Sequence, residues 1–251
     1  MNDPQRSILG CFLLGILLVS CGCAASPFEA FVVSSESRKL TVLNFDGEKN
    51  LLEVEGSPLN VGSGASDVTY DARHRRVYVI NQEEDSLSVF EVKRITESLF
   101  RSHYILESRG PIATAHQPVA VSTDSGQNLV LVLHRDGALV RLNGKDLTLR
   151  DERRILDVIH PEPQATDLTY DARNNLIYGI DEAVHGLLVL RASSLEPIHF
   201  SRTPSHPCAL CYDDVNDRIY VTYRGEELDQ EPPGLAVYKA GPFCNPIRDP
   251  I

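Results

Sequence analysis

The chain has no tryptophan, a single methionine and only 7% aromatic residues in 251 positions. Without indole rings, a stacking platform for sugars would rest on nine tyrosines. Basic residues are outnumbered by acidic ones, 24 to 35, for a formal net charge of −11. An acidic surface repels phosphate backbones and anionic headgroups, which argues against nucleic acid as a partner. The apolar run over residues 8–19 is too short to span a bilayer as a helix. Also missing are a G-x-S-x-G nucleophile elbow, a phosphate-binding glycine loop and an H-E-x-x-H pair. No long amphipathic helical pattern interrupts the chain. What remains is ordinary globular material, 42% hydrophobic and 24% charged, enough for a sizeable core.

What is present is repetition. Ala65-Ser66-Asp67-Val68-Thr69-Tyr70-Asp71-Ala72-Arg73 returns as Ala165-Thr166-Asp167-Leu168-Thr169-Tyr170-Asp171-Ala172-Arg173, and more weakly as Leu210-Cys211-Tyr212-Asp213-Asp214. A second marker, a short apolar strand after a polar hairpin, begins at Leu40, Leu87, Ala138, Leu187 and Leu235. Each is preceded by another strand, at 30–33, 77–80, 129–133, 176–180 and 218–221. Opening strands are expected at 67–71, 118–122, 167–171 and 208–212, and closing strands near 51–55, 103–107, 155–159 and 197–201. Four short antiparallel strands in units of roughly fifty residues predict an all-β fold, a β-propeller of about five four-stranded blades. The first unit shows no opening strand, and the proline-bearing tail, residues 241–251, makes a poor closing one. The expectation is a five-bladed ring or an open, self-associating partial ring, since unpaired blade edges invite pairing.

The run Pro118-Val119-Ala120-Val121-Ser122-Thr123-Asp124-Ser125-Gly126 resembles the opening of a YVTN-type propeller repeat. Val77-Tyr78-Val79-Ile80-Asn81 and Ile219-Tyr220-Val221-Thr222 are similar to that repeat's second element. The resemblance covers nearly all of residues 30–240 and implies architecture rather than activity, because such propellers host many functions. Rings of that family usually close with seven blades, against the five units visible here.

The N-terminus gives an address. A basic residue, Arg6, precedes the apolar run and small residues follow it, the pattern of a secretion signal. Leu18-Val19-Ser20-Cys21 resembles the lipobox of bacterial lipoproteins, in which the cysteine becomes the acylated N-terminus. A cut after Ala25 would release a soluble secreted protein instead, and an uncleaved anchor is the third reading. The domain reading is a signal over 1–20, a tether over 21–29, propeller repeats over 30–240 and a tail over 241–251. All three readings put the folded part outside the cytoplasm. The lipoprotein reading displays it on a bacterial envelope, with Cys21 lipidated and membrane contact made through the lipid.

In a propeller the opening strand lines the central channel and the connector before it reaches the channel mouth. That geometry nominates Asp67, Gln117, Asp167, His206, His116 and His160 as binding residues at one rim. Carboxylates at Asp67 and Asp167 suit a divalent cation, calcium or zinc. The same two side chains also suit a plainer task, accepting backbone N–H groups to fix a turn. Tyr70, Asp71 and their copies read as structural, the aspartates capping hairpins and the tyrosines packing between blades. Cys208-Ala209-Leu210-Cys211 lacks the following helix of a thioredoxin-like site and the following histidine of a haem attachment. Residues three apart on a strand face opposite sides, so Cys208 and Cys211 should not bond each other. Cys244 paired with one of them would close a loop of roughly thirty residues, worth about 3–4 kcal/mol. The leading functional expectation is a non-catalytic binding or scaffolding propeller whose partner is an envelope protein or a small ligand. A metal-dependent, lactonase-like hydrolase at the channel mouth is the alternative.

Overall fold

The computed structural model describes residues 17–19, 30–45, 50–98, 101–124, 126–156, 162–226 and 231–247. Among them are twenty β-strands and one 3-10 turn, Gln82–Glu84. The chain divides into two compact units, residues 1–118 and 119–251. In the first unit, β1 (Leu17–Val19), β2 (Ala30–Ser34), β3 (Lys39–Phe45) and β4 (Leu51–Glu53) form one antiparallel sheet, and β5 (Leu59–Asn60) pairs with β3. Its second sheet is β6 (Ala65–Asp71), β7 (Arg76–Asn81), β8 (Ser86–Ser98) and β9 (Arg101–Ala113).

The second unit holds three sheets. The first, starting at the boundary, runs β10 (Pro118–Asp124), β11 (Leu129–His134), β12 (Ala138–Asn143) and β13 (Leu149–Arg154). The next is β14 (Ala165–Asp171), β15 (Leu176–Asp181), β16 (Gly186–Arg191) and β17 (Glu196–Arg202). The last is β18 (Pro207–Asp213), β19 (Arg218–Tyr223) and β20 (Gly234–Lys239). Five such antiparallel sheets in sequence order are the blades of a β-propeller.

Burial explains the strand sequences. All six residues of β7, β11 and β15 are buried, so these second strands read as unbroken apolar runs rather than alternating ones. In the first unit the two blades close on Phe31, Val33, Leu40, Val68, Val79 and Phe90. In the second unit Leu131, Leu139, Leu168 and Ile177 join the third and fourth blades, and Tyr178, Leu187, Leu210 and Val221 join the fourth and fifth. Each such side chain contributes about 1.5–3 kcal/mol on burial.

Three expectations are corrected. The closing strand of the third blade is β13, not residues 155–159; Ile155 and Leu156 lie just past it, buried in the apolar cluster, and 157–159 lie outside the described residues. Its sequence, Leu-Arg-Asp-Glu-Arg-Arg, carries no apolar pattern because it is a largely exposed outer edge, where charge discourages unwanted strand pairing. The first blade does have an opening strand. It comes from the segment read as a leader: Leu17, Leu18 and Val19 pair antiparallel with Val33, Val32 and Phe31. The tail also contributes, since Tyr238 bridges to Pro246 and the Ile247 N–H donates to the Val237 carbonyl at 2.8 Å. Proline is tolerated there because an outermost strand need not donate on its free side.

The hairpin between the first two strands of four blades is closed by one repeated device. Asp71, Asp124, Asp171 and Asp213 each accept one or two backbone N–H bonds on Oδ1 from residues two or three ahead. The side chain three ahead, respectively His74, Gln127, Asn174 and Asn216, bonds the other oxygen. The residue four ahead is left-handed: Arg75, Asn128, Asn175 and Asp217, with φ between 52° and 62°. Its carbonyl then accepts an N–H from the third strand, Val92, or from the residue just past it, Gly144, Ala192 and Ala240 in turn. In two copies the tyrosine just before the aspartate crosses to the blade before it. Tyr70 stacks on Phe31 at 5.9 Å, and Tyr212 packs on Tyr178 at 6.4 Å.

Asp171 is the most heavily used copy. It is 0% exposed and also accepts the Tyr178 hydroxyl at 3.0 Å, while that hydroxyl accepts the Gly241 N–H at 2.8 Å. Burial and the neighbouring carboxylate push the Tyr178 phenol far above its ordinary range. One buried carboxylate thus ties a turn, a neighbouring strand and, through Tyr178, the tail.

Replacing Asp171 by Ala orphans the buried Tyr178 hydroxyl and frees the turn's part-buried donors, and should cost about 2–3 kcal/mol in urea denaturation. Asp213→Ala, at the half-buried copy, should cost distinctly less. Arg75→Asn should stabilise by about 0.5 kcal/mol, because asparagine tolerates the left-handed region better than arginine and two other copies already carry it.

Candidate functional site

At the opposite end of each blade, the turn between the second and third strands meets the connector to the next blade. Here too a left-handed residue governs the join: Arg38, Asp85, Gly137 and His185, with φ of 52°, 47°, 79° and 48°. Their carbonyls accept the N–H of Val61, Thr114, Ile155 and Thr203 at 2.8–3.1 Å. A connector carbonyl returns the favour one blade on: Gly64, Gln164 and His206 accept from Gln82, Glu182 and Arg224. These turns and connectors are where the sequence placed its candidate residues.

In the first unit, Asp85 holds two of them. Its Oδ1 accepts the Gln117 N–H at 2.7 Å and its Oδ2 meets His116 Nδ1 at 3.2 Å. Gln117 is itself left-handed, at φ 52°. Asp67 is buried, and its Oδ1 accepts the N–H of the following Val68 at 2.7 Å. Nearby, the Gly62 and Ser63 N–H groups go to Asn81 Oδ1 and Glu84 Oε1.

In the second unit, Asp167 accepts the Leu168 N–H on Oδ1 and the Leu210 N–H on Oδ2, both at 2.7 Å. It thereby joins the opening strands of the fourth and fifth blades. His206 belongs to a separate group. Its backbone N–H donates to His185 Nδ1 at 3.0 Å, its own Nδ1 meets Glu182 Oε1 at 3.1 Å, and the two imidazoles stand edge to face at 5.0 Å. Arg224 pairs with the same Glu182 oxygen, and Glu231 accepts the Ser205 N–H at 3.0 Å. His160 lies outside the described residues, as does Cys21.

Within each unit, then, the structure brings His116 and Gln117 together on Asp85, and places His206 with His185, Glu182 and Arg224. Asp67 and Asp167 sit on equivalent strands of different units. Among the described residues, no group of three or more His, Cys, Asp or Glu side chains is placed to hold a metal ion. The sequence reading passed over Asp85, Glu182, His185 and Arg224. Stacking the five units would have found the first three, each one to four residues past the end of a second strand.

The disulfide expected from Cys244 is not made: Cys208, Cys211 and Cys244 are all free thiols. Cys244 is buried against the fourth and fifth blades, its Sγ 3.6 Å from the Gly241 carbonyl, and burial pushes its pKa up to about 12. The tail is instead pinned by hydrogen bonds, Ser201 Oγ donating to the Cys244 carbonyl at 3.1 Å and the Lys239 N–H to the Asn245 carbonyl at 2.9 Å.

No family model matches the chain, and no curated protein matches it in sequence. Solved structures do match in fold. A provisionally assigned 6-phosphogluconolactonase from Bacteroides uniformis superposes with a TM-score of 0.64 at 16% identity, covering 90% of this chain and 67% of that one. Kuenenia stuttgartiensis hydrazine synthase gives 0.63 at 12% identity, covering 86% of this chain and 61% of that one. This chain therefore spans about two thirds of the length of these relatives. At such identities the likeness establishes the β-propeller fold and carries no activity with it.

The thiols test the tail's placement. On the native protein, site mapping after alkylation should show Cys211 labelled first and Cys244 about a hundredfold more slowly, until the protein is unfolded. A Cys244 cross-link to Cys208 or Cys211 in non-reducing peptide maps would contradict this arrangement.

Proposed function

We propose that this protein is a non-catalytic binding or scaffolding propeller of the YVTN type, displayed on the bacterial envelope through an acylated Cys21. One observation supports the non-catalytic reading above others. The polar side chains at the inter-blade joins are spent on the backbone: Asp85, Asp167, Asp181, His185 and Glu231 each accept connector or strand N–H groups. Groups so committed serve the scaffold, and leave ligand recognition to loops and faces that vary between blades.

The largest such variation is the hairpin of β8 and β9. Each strand runs 13 residues against six or seven in the later blades, and the pairing continues out to Ser98 and Arg101. A protein partner or small ligand on the envelope is the kind of occupant this surface would serve. Among the described residues no helix is long and apolar enough to cross a membrane; in this reading the acyl group on Cys21 makes the attachment. Cleavage before Cys21 would remove β1 and leave β2 as the innermost strand of the first blade.

A second reading, a lactonase-like hydrolase, is favoured by one local feature. His206 has its Nδ1 on the Glu182 carboxylate, which is how a general base is oriented. The fold likeness to the Bacteroides uniformis protein is compatible with it. In that case Glu182→Gln should abolish lactone hydrolysis by the purified protein.

The proposal predicts that the full chain, produced in a bacterium, incorporates labelled palmitate and sediments with membranes. Cys21→Ala should lose both properties while the propeller stays folded. Elemental mass spectrometry should find no stoichiometric calcium or zinc, and lactones should not turn over. Label retained in Cys21→Ala, or a metal lost together with activity in Asp67→Ala and Asp167→Ala, would overturn it.

A further inference from the structure

The joins between blades use the same geometry with different chemistry. Leading into the third blade, the left-handed connector residue Gln117 gives its N–H to a carboxylate, Asp85 Oδ1, at 2.7 Å. Leading into the fifth, the left-handed residue His206 gives its N–H to an imidazole, His185 Nδ1, at 3.0 Å. Both acceptors are themselves left-handed, and both return a carbonyl to the start of the connector, to Thr114 and Thr203 at 2.8 Å. The chain thus contains its own control. One join is fastened by a group that accepts at any pH above the carboxylate range, the other by a group that accepts only while it lacks a proton.

We propose that His185 is an acid-sensitive latch on the connector between the fourth and fifth blades, residues 203–206. A ring nitrogen that accepts a backbone N–H uses its lone pair, and the proton that arrives on acidification takes that same lone pair. The bond is then lost, and the His206 N–H faces a donor. Imidazoles as a class change charge between about pH 5 and 8 and carboxylates near pH 4, so acidification across that interval is what distinguishes the two kinds of join.

The surroundings set the direction in which the ring leaves. On its own turn His185 has Glu182 and Asp181, the latter holding the Ala183 and Val184 N–H groups. From β17 comes Arg202, on the Val184 carbonyl at 3.4 Å. From the connector and β18 come His206 and Cys208, whose thiol donates to the His206 carbonyl at 3.1 Å. From the loop after β19 come Arg224, paired with Glu182, and Glu231, on the Ser205 N–H. A charged His185 is repelled by a charged His206 and by the two guanidiniums, and is drawn to Glu182, where His206 and Arg224 already compete. What loosens is more than one bond. Ser205 and His206 also accept the Gly225 and Arg224 N–H groups, so the loop after β19 is fastened through the same connector.

Hydrogen exchange of the full chain, read by mass spectrometry at pH 7.5 and pH 5.5 and corrected for intrinsic exchange, tests the latch. In the native chain, peptides covering 203–206 and 224–226 should lose protection about tenfold on acidification, the loss of roughly one hydrogen bond. Peptides covering 114–117 should not. His185→Asn keeps an acceptor at every pH and suits a left-handed position, so its 203–206 peptide should show no acid response; His185→Asp is the second variant if the first folds poorly. Equal acid response at the two connectors of the native chain, or an unchanged response in the folded variant, overturns the proposal. So does nuclear magnetic resonance evidence that His185 carries its proton on Nδ1 at pH 7.5.

Discussion

The structure depends on how the backbone ends of each sheet are satisfied where strands stop. A propeller blade is four short strands, and its hairpin ends carry N–H and carbonyl groups that no neighbouring strand can reach. In this chain those groups are answered by the paired use of an aspartate and a left-handed residue four positions later. The aspartate takes the N–H groups of the turn, and the left-handed carbonyl takes an N–H from beyond the third strand. In these four blades, then, the register of the first hairpin is held by bonds within the blade itself. Apolar faces such as Val79 and Leu131 then pack without carrying unpaired backbone polar groups into the core.

The same economy governs the joins between blades. Connectors are short, so their N–H groups are taken by side chains of the preceding turn, Asp85 or His185, or of the second strand in the blade that follows, Asn81 or Asp181. That explains why residues with the chemistry of a binding site gather at these joins while their acceptor atoms hold backbone N–H groups. Asp167 is the clearest case. Its two oxygens are taken by Leu168 and Leu210 N–H groups, a bond between blades in the place where a ligand was expected. The Glu182–His206–Arg224 group stands apart, because two ionisable partners share one carboxylate oxygen there.

Much of the fold was legible because repetition and burial both leave marks in sequence. Tyr70-Asp71 and Tyr170-Asp171 recur with their turns, and second strands buried on both faces read as plain apolar runs. Edge strands were harder. β13 is charged at every position after Leu149, and nothing in Leu149–Arg154 signals a strand except its place after an Asx turn at Asp146, whose carboxylate the Thr148 hydroxyl holds below its usual range. The opening strand of the first blade was hidden by its own hydrophobicity, since Leu17–Val19 satisfies a leader pattern and a strand pattern equally. The site was less legible still. Asp85 and His185 occupy equivalent positions but share no residue type, and their common role, accepting one backbone N–H, is invisible until the turns are superposed.

The central claim is that the repeated aspartates act as structural latches on the hairpins. Residue-resolved amide exchange by nuclear magnetic resonance on the full chain addresses it directly. The account predicts that the turn amides of Arg73, His74, Gln127, Arg173 and Asn174 exchange as slowly as those of the buried strands β7, β11 and β15. Exchange of these amides at the rates of open loops, with the strands protected, would contradict it.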